Sequence, residues 1–225
     1  MINFKGSHFP KDVVLMCIRW YVAYPLSYRH VEELMEERGV SVDHATINRW
    51  VVKYSPTLEA KFRQIKRSIG KSWRMDETYI KVKGEWVYYY RAVDKAGQTI
   101  DFFLSRARDT KAAQDFFKKA IGSSGKPDKV NMDKSVANLA GLQEINQELP
   151  QDQQITIRQV KYLNNLVEQD HRGIKRITKP MLGFKSFAWA ERTLAGIELY
   201  HMLHKGQSAI NANAPVWKQF YAIAA

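Results

Sequence analysis

The sequence has a single cysteine, Cys17, in 225 residues. One thiol excludes an internal disulfide and a cysteine-rich zinc site, and it suits a reducing cytosol. Long apolar runs are missing too. The longest aliphatic stretch, residues 13–18, lies between Asp12 and Arg19. That is far below the ~20 residues needed to span a bilayer, and Arg19 interrupts anything like a signal-peptide core. Neither an internal repeat nor a low-complexity tract is present. Acids are scarce, 23 Asp and Glu against 35 Lys and Arg, leaving a net charge of +12. A surplus that large predicts a polyanionic partner, nucleic acid or an acidic membrane surface. Apolar residues make up 45% of the chain, enough for a real core, so disorder and collagen-like repeats are excluded. At ~150 residues per domain the length allows between one and two domains. The expectation is a soluble, cytoplasmic, basic protein.

The first seventy residues read as helices. Pro10 suits a first helical position, and Val13, Cys17, Trp20, Tyr21 and Tyr24 then fall on one helical face before Pro25 breaks it. Ser27 can cap a second helix that Gly39 stops, and Asp43 opens a third through Tyr54. Ser55-Pro56 reads as a cap and proline that start a fourth helix. Gly70 marks a boundary.

The pattern then changes to strands. Residues 73–82 and 86–93 are rich in aromatic and β-branched side chains around a tight Lys83-Gly84 turn, and a third strand follows at 98–105. Next come a helix capped by Asp109, a short strand ending in Asp133, a helix from about Ser135, a strand at 155–160 and a helix at about 163–177. A last helix covers about 187–205. Three antiparallel strands, then helix, strand, helix, strand, helix, is the order of a ribonuclease-H-like α/β fold. The expected organisation is an all-α helix-turn-helix domain at 1–70, a ribonuclease-H-like domain at 71–210 and a tail at 211–225.

Two constellations carry chemistry. Residues 27–54 have helix-turn-helix spacing, in which the second helix would lie in a DNA major groove. On that helix Ile47, Trp50, Val51 and Tyr54 form the packed side, while Asn48, Arg49 and Lys53 point away. Asn and Arg can each read a base edge with two hydrogen bonds, and Lys53 suits a phosphate. A small helical bundle with a solvated polar face fits the same spacing, and the net charge favours DNA.

The second constellation is Asp76 in the first strand, Asp133 at the end of the fourth, and Glu168 on the helix after the fifth. In this fold the first and fourth strands are neighbours, so the two aspartates would lie side by side, with the helix bringing Glu168 over them. Three converging carboxylates repel unless a cation neutralises them. Hard oxygen ligands suit Mg²⁺ or Mn²⁺, and two such ions serve an in-line displacement at phosphorus. Each acid alone has a plain structural role available: Asp76 at a strand edge, Asp133 as a helix cap, Glu168 as a solvated helix residue. On the Glu168 helix, Leu166, Val167, Ile174 and Ile177 form the expected buried stripe. Glu168, His171 or Arg172, and Lys175 share another face. The glycine-serine run at 122–126 lacks the first glycine of a phosphate loop, since Ala120 stands there, so no nucleotide cofactor is expected. His201 and His204 read as a partly buried pair rather than a zinc site.

Asp133 and Glu168 are separated by 34 residues, and Lys175 lies seven beyond Glu168. That spacing resembles the catalytic core of DDE transposases and retroviral-type integrases. The strings at 73–79, 90–94, 161–165, 168–172, 182–187, 196–198 and 205–207 resemble one branch: short bacterial insertion-sequence transposases with an N-terminal helix-turn-helix that form cointegrates. The resemblance covers nearly the whole chain and departs from the branch at Met132, where a small polar residue is expected, and at Gly173, where a bulkier or basic one is. It implies Asp76, Asp133 and Glu168 as catalytic, metal-binding residues holding two Mg²⁺ or Mn²⁺, with Lys175 as a DNA contact. It implies hydrolysis at the element's 3′ end followed by strand transfer into target DNA. The partners implied are double-stranded DNA, as terminal inverted repeats and as target, and at least a second copy of the chain. Two rivals share the fold, a non-catalytic DNA-binding regulator and a structure-specific nuclease that cuts without joining.

Overall fold

The computed structural model describes residues 2–224. The chain divides into two compact units, one made of the residues up to Arg67 with those from Gly173 onward, the other Ser68–Arg172. The first division lies close to the glycine that marks a boundary in the sequence. The second differs from the sequence reading: residues 173–210, expected with the strands, group with the N-terminal helices.

The first unit is helical. It contains α1 (Lys11–Ala23), α2 (Tyr28–Glu36), α3 (His44–Gln64), α7 (Phe187–His204) and α8 (Val216–Ile223), with the end of α6 (Lys161–Thr178). Ser27 caps α2 in a capping box with His30, and Asp43 caps α3 by accepting from the amides of Ala45 and Thr46. The buried face of α1 is Val14, Cys17, Ile18, Tyr21 and Val22, turned from the expected one, and Tyr24 is exposed. Burial pushes the Cys17 thiol up to about 12, so it is inert packing.

Pro56 does not start a new helix. One helix runs through it, at the loss of the single amide donor proline lacks. Trp50, Val51 and Tyr54 before it and Leu58 and Phe62 after it are all buried on the same helix, and that packing outweighs a break. The C-terminal segment is also more than a tail. Pro215 starts α8, whose Phe220 is wholly buried and meets the Tyr200 ring edge-on, while Lys11 Nζ donates to the Ala224 carbonyl at 2.7 Å. Gly196 of α7 is a close-approach position: a Cβ there would lie 2.5 Å from Ser55 Oγ and 2.9 Å from Val22 Cγ1.

The second unit is a five-stranded sheet in the order β3-β2-β1-β4-β5. Its strands are β1 (Ser72–Val82), β2 (Glu85–Asp94), β3 (Thr99–Ser105), β4 (Lys129–Asn131) and β5 (Thr156–Arg158). The first three form an antiparallel meander, and β4 and β5 run parallel to β1. This is the ribonuclease-H-like arrangement. Lys83 and Gly84 both adopt positive φ, as a two-residue hairpin of this twist demands. Helices α4 (Thr110–Ser124) and α5 (Val136–Gln147) share one core with the sheet, including Trp73, Met75, Tyr90, Phe116, Phe117, Val130, Met132 and Leu142. Met132, a departure from the resemblance, is therefore a wholly buried core residue.

β5 is shorter than its apolar pattern because side-chain amides replace the ladder at its ends. Asn146 bonds both the amide and the carbonyl of Ile155, and Asn131 bonds both those of Val160. The run at 122–126 is the end of α4, closed by Gly125 at φ 78° with Ser123 donating to Asp101.

Two glycines should respond oppositely to added side chains. Gly196→Val meets three atoms inside van der Waals range and should cost about 1–3 kcal/mol by overpacking, roughly 3–10 °C in Tm for a chain this size. Gly122→Ala, on α4 with open space around it, should raise Tm slightly through helix propensity. Thermal melts of both variants against the unaltered chain check the pair.

Candidate active site

The register of the parallel strands sets the centre of the site. Arg74 of β1 pairs with Asn131 of β4, and the pairing ends there. Two residues on, Asp76 continues β1 while Asp133 leaves the sheet, so both stand where the strands part, the crevice at which α/β sheets bind ligands. Carboxylate oxygens of Asp76, Glu77 and Asp133 all lie within 4.8 Å of one another. Of the three acids read from the sequence, two are thus brought together, and Glu77 joins them. Glu168 is exposed on α6 and outside this cluster.

Adjacent residues of a strand point to opposite faces, and Asp76 and Glu77 follow that rule. Glu77 faces the α4–α5 side, where its Oε1 accepts from Arg108 Nε at 2.9 Å and Asn138 Nδ2 at 3.1 Å. Its Oε2 is buried without a hydrogen-bond partner. Burial raises the Glu77 carboxyl above its ordinary range, against the lowering by Arg108 and Asn138. Arg108 also reaches Asp133 Oδ2 at 3.3 Å, and the paired Glu77 carboxylate raises the guanidinium's own pKa. Asp133 Oδ1 accepts from the Ser135 amide at 3.0 Å and from Asn138 Nδ2 at 3.3 Å. Asp133 therefore has its structural role, ordering the entry to α5, alongside its place in the cluster.

Asp76 faces α6. Its Oδ2 lies 3.1 Å from His171 Nε2. Behind the imidazole stands the wholly buried Arg91, which pairs with Asp170 at 2.7 Å. Asn164, also on α6, donates to the Met75 carbonyl at 3.2 Å and accepts from Asn131, which ties this helix to β1 and β4. The buried stripe of α6 is Asn164, Val167, His171, Ile174 and Ile177. Of the two residues that could share the Glu168 face, Arg172 is exposed while His171 turns inward, and Leu166 is only half-buried.

The residues expected to meet DNA are on α3 and α6. Arg49 and Lys53 are exposed and Asn48 half-buried, opposite the buried Ile47, Trp50, Val51 and Tyr54. Arg49 Nη2 donates to Thr46 Oγ1 at 2.6 Å, and Thr46 in turn donates to Asp43 at 2.6 Å, so the helix cap orients the guanidinium. Asn48 and Arg49 line a cleft of about 630 Å³ with His30, Lys185 and Trp189. Lys175 is exposed in the last turn of α6. Gly173, the other departure from the resemblance, is occupied space: a Cβ there would lie 2.5 Å from His201 Cε1. Among the described residues no helix is long and apolar enough to cross a membrane.

A DDE-domain family profile matches residues 70–207, and one for the IS66 transposase family matches residues 13–126. The chain is 41% identical over 208 residues to the transposase for insertion sequence-like element IS431mec of Staphylococcus aureus strain Mu50, covering 91% of this chain and 90% of that one. It is 40% identical over the same span to the transposase for insertion sequence element IS257 in transposon Tn4003 of Staphylococcus aureus. Among solved structures, the catalytic core domain of HTLV-2 integrase in complex with magnesium aligns with a TM-score of 0.49 at 19% identity, over 69% of this chain and 99% of that one.

The cluster offers only hard carboxylate oxygens, and one of them, Glu77 Oε2, is buried and unpartnered, which fits an oxygen-seeking divalent cation. Mg²⁺ or Mn²⁺ should therefore raise the melting temperature. The gain is about 2.7 kcal/mol at a hundredfold excess over Kd, roughly 5–10 °C. Asp133→Asn, by removing one of the repelling charges, should melt no lower than the unaltered chain in EDTA and should lose most of the metal-induced shift. Melting curves with and without the cations test both statements.

Proposed function

Since the chain belongs to the DDE transposases of insertion sequences, we propose that Asp76, Asp133 and Glu168 are its catalytic carboxylates and hold two Mg²⁺ or Mn²⁺ ions. The observation that carries this reading is the convergence of Asp76 and Asp133 where β1 and β4 part, 57 residues apart in sequence (133 − 76). Glu168, exposed on α6, is free of the cluster's internal hydrogen bonds and supplies the third carboxylate. When bound, the ions lower the pKa of an attacking hydroxyl and take up charge on the leaving oxygen.

The protein's own groups do the rest. Asp133 is oriented by the Ser135 amide and Asn138, and Asp76 by His171. Arg108 presents a guanidinium beside them that suits a DNA phosphate. In the first step water attacks phosphorus at the element's 3′ end, the bond to the 3′ oxygen breaks, and a 3′-hydroxyl is released. In the second, that hydroxyl attacks a target phosphodiester, forming one P–O bond and breaking another. No covalent bond to the protein is needed. Helices α2 and α3 act as a helix-turn-helix on the terminal inverted repeats, with Asn48 and Arg49 at base edges and Lys53 at phosphate. Lys175 contacts DNA near the reacting end. Joining two ends requires at least a homodimer, and the protein works in the bacterial cytoplasm on double-stranded DNA.

The deciding experiment is strand transfer of a labelled DNA end carrying the element's terminal repeat, with Mg²⁺ or Mn²⁺. Joined product should fall more than about 1,000-fold in Asp133→Asn and in Glu168→Gln, corresponding to several kcal/mol of transition-state stabilisation. Specific binding without product would assign a regulator, and cleavage without joining a nuclease. In binding assays Arg49→Ala should weaken the repeat by about 1–3 kcal/mol while changing random DNA much less. Equal losses would make Arg49 a phosphate contact.

A further inference from the structure

We propose that His171 is a positioning residue for Asp76, held by Arg91 in the neutral tautomer that carries its proton on Nε2 and donates it to the Asp76 carboxylate. The inference rests on the reading above that Asp76 is a metal ligand. Its premise is a run of side chains from three elements: Asp76 on β1, Arg91 on β2, and Asp170 with His171 on α6.

A guanidinium has hydrogen-bond donors and no acceptor. Arg91 Nη1 lies 3.4 Å from His171 Nδ1, a contact that is a hydrogen bond in the tautomer whose Nδ1 carries no proton. In that tautomer the remaining ring nitrogen, Nε2, bears the hydrogen, and the atom 3.1 Å from it is Asp76 Oδ2. The opposite tautomer would point an N–H at the guanidinium and leave two lone pairs facing each other at Asp76. Both are costly where Arg91 is wholly buried and His171 only 5% exposed.

The charges explain why the chain is built this way. Arg91 is neutralised by Asp170 at 2.7 Å, and the imidazole between them and Asp76 is neutral. Asp76 thus gains a fixed orientation from a group that does not cancel its charge. Asp133, in contrast, faces the Arg108 cation directly. A carboxylate whose task is to bind a cation is better held by a neutral N–H than by a competing positive charge. Hydrogen-bonding partners behind metal ligands commonly change metal affinity by about 10–100-fold when removed.

The test is Mn²⁺ binding to the full chain, followed by the free-ion signal in electron paramagnetic resonance, for the unaltered protein and for His171→Leu, His171→Gln and Asp76→Asn. His171→Leu should weaken Mn²⁺ by about 10-fold or more. His171→Gln, whose amide N–H can take the place of Nε2–H, should restore most of the loss. An unchanged affinity in His171→Leu, or a glutamine variant as weak as leucine, overturns the positioning role. If His171→Leu leaves affinity intact while Asp76→Asn lowers it, the positioning role alone fails; if neither lowers it, Asp76 is not a ligand and the underlying reading fails with it. A second measurement needs no binding. In a ¹⁵N–¹H spectrum of the six histidines, the signal absent from His171→Gln should show the Nε2–H tautomer in the unaltered, metal-free chain. An Nδ1–H tautomer or an imidazolium overturns the proposal, even if His171→Leu does not fold.

Discussion

Carboxylates that repel one another are the constraint around which this sheet is organised. Asp76, Glu77 and Asp133 bring oxygens within 4.8 Å of one another, and like charges at that separation are unfavourable without compensation. Each acid is relieved differently. Glu77 is buried, which raises its pKa, and it is paired with Arg108. Asp133 shares Arg108 with Glu77 and accepts from an amide and from Asn138. Asp76 has the His171 ring, with the Arg91–Asp170 pair behind it. Such an arrangement leaves the cluster short of positive charge, which is the property a cation site requires.

Rigidity for this arrangement comes from packing beneath it. Trp73, Met75 and Met132 are buried in the core that β1 and β4 share with α4 and α5, so the strands that carry the two aspartates are clamped just before they part. Alternation along β1 then sends Glu77 toward that same core and Asp76 toward α6. The cluster forms across the rim of the sheet because β4 ends at Asn131. Had β4 continued for two more residues in register, its backbone would separate the faces. Asn131, whose side-chain amide bonds Asn164 and the Val160 carbonyl, ends the strand and docks the helix in one place.

The meander, its Lys83-Gly84 turn and the strand–helix order were legible in the sequence because they depend on local alternation and turn chemistry. The pairing of Asp76 with Asp133 was legible through topology alone, since a parallel neighbour of β1 must bring its end to the same level. The support of the site was not. Arg91 to Asp170 spans 79 residues and His171 to Asp76 spans 95, and no periodicity marks such pairs. A buried arginine in a strand opposite an acid, Arg91 across from Asp76, was the one available sign. Pro56 misled because a proline breaks a helix only when packing on either side does not bridge it. The helix at 216–223 was overlooked because an alanine-rich end masked Phe220, and the grouping of α7 with the N-terminal helices because strand–helix order carries no information on where the last helix packs. Gly173 is intelligible only with His201 in view, 28 residues away (201 − 173) and filling the space of its missing side chain.

The two arginines of the site illustrate how burial sorts charge into different tasks. Arg91 is wholly inaccessible, and separating it from Asp170 would leave an uncompensated buried charge in a poor solvent. It can therefore define a tautomer. Arg108 is 37% exposed, in the segment between β3 and α4, and serves two acids at once. Its bond to Glu77 is held, because that carboxylate is only 3% exposed, whereas its longer contact to the 40% exposed Asp133 is screened by water and weak. The site therefore has both kinds, one locked in the interior and one partly open to water. The sheet provides them by placing one arginine under the helix and the other at the rim.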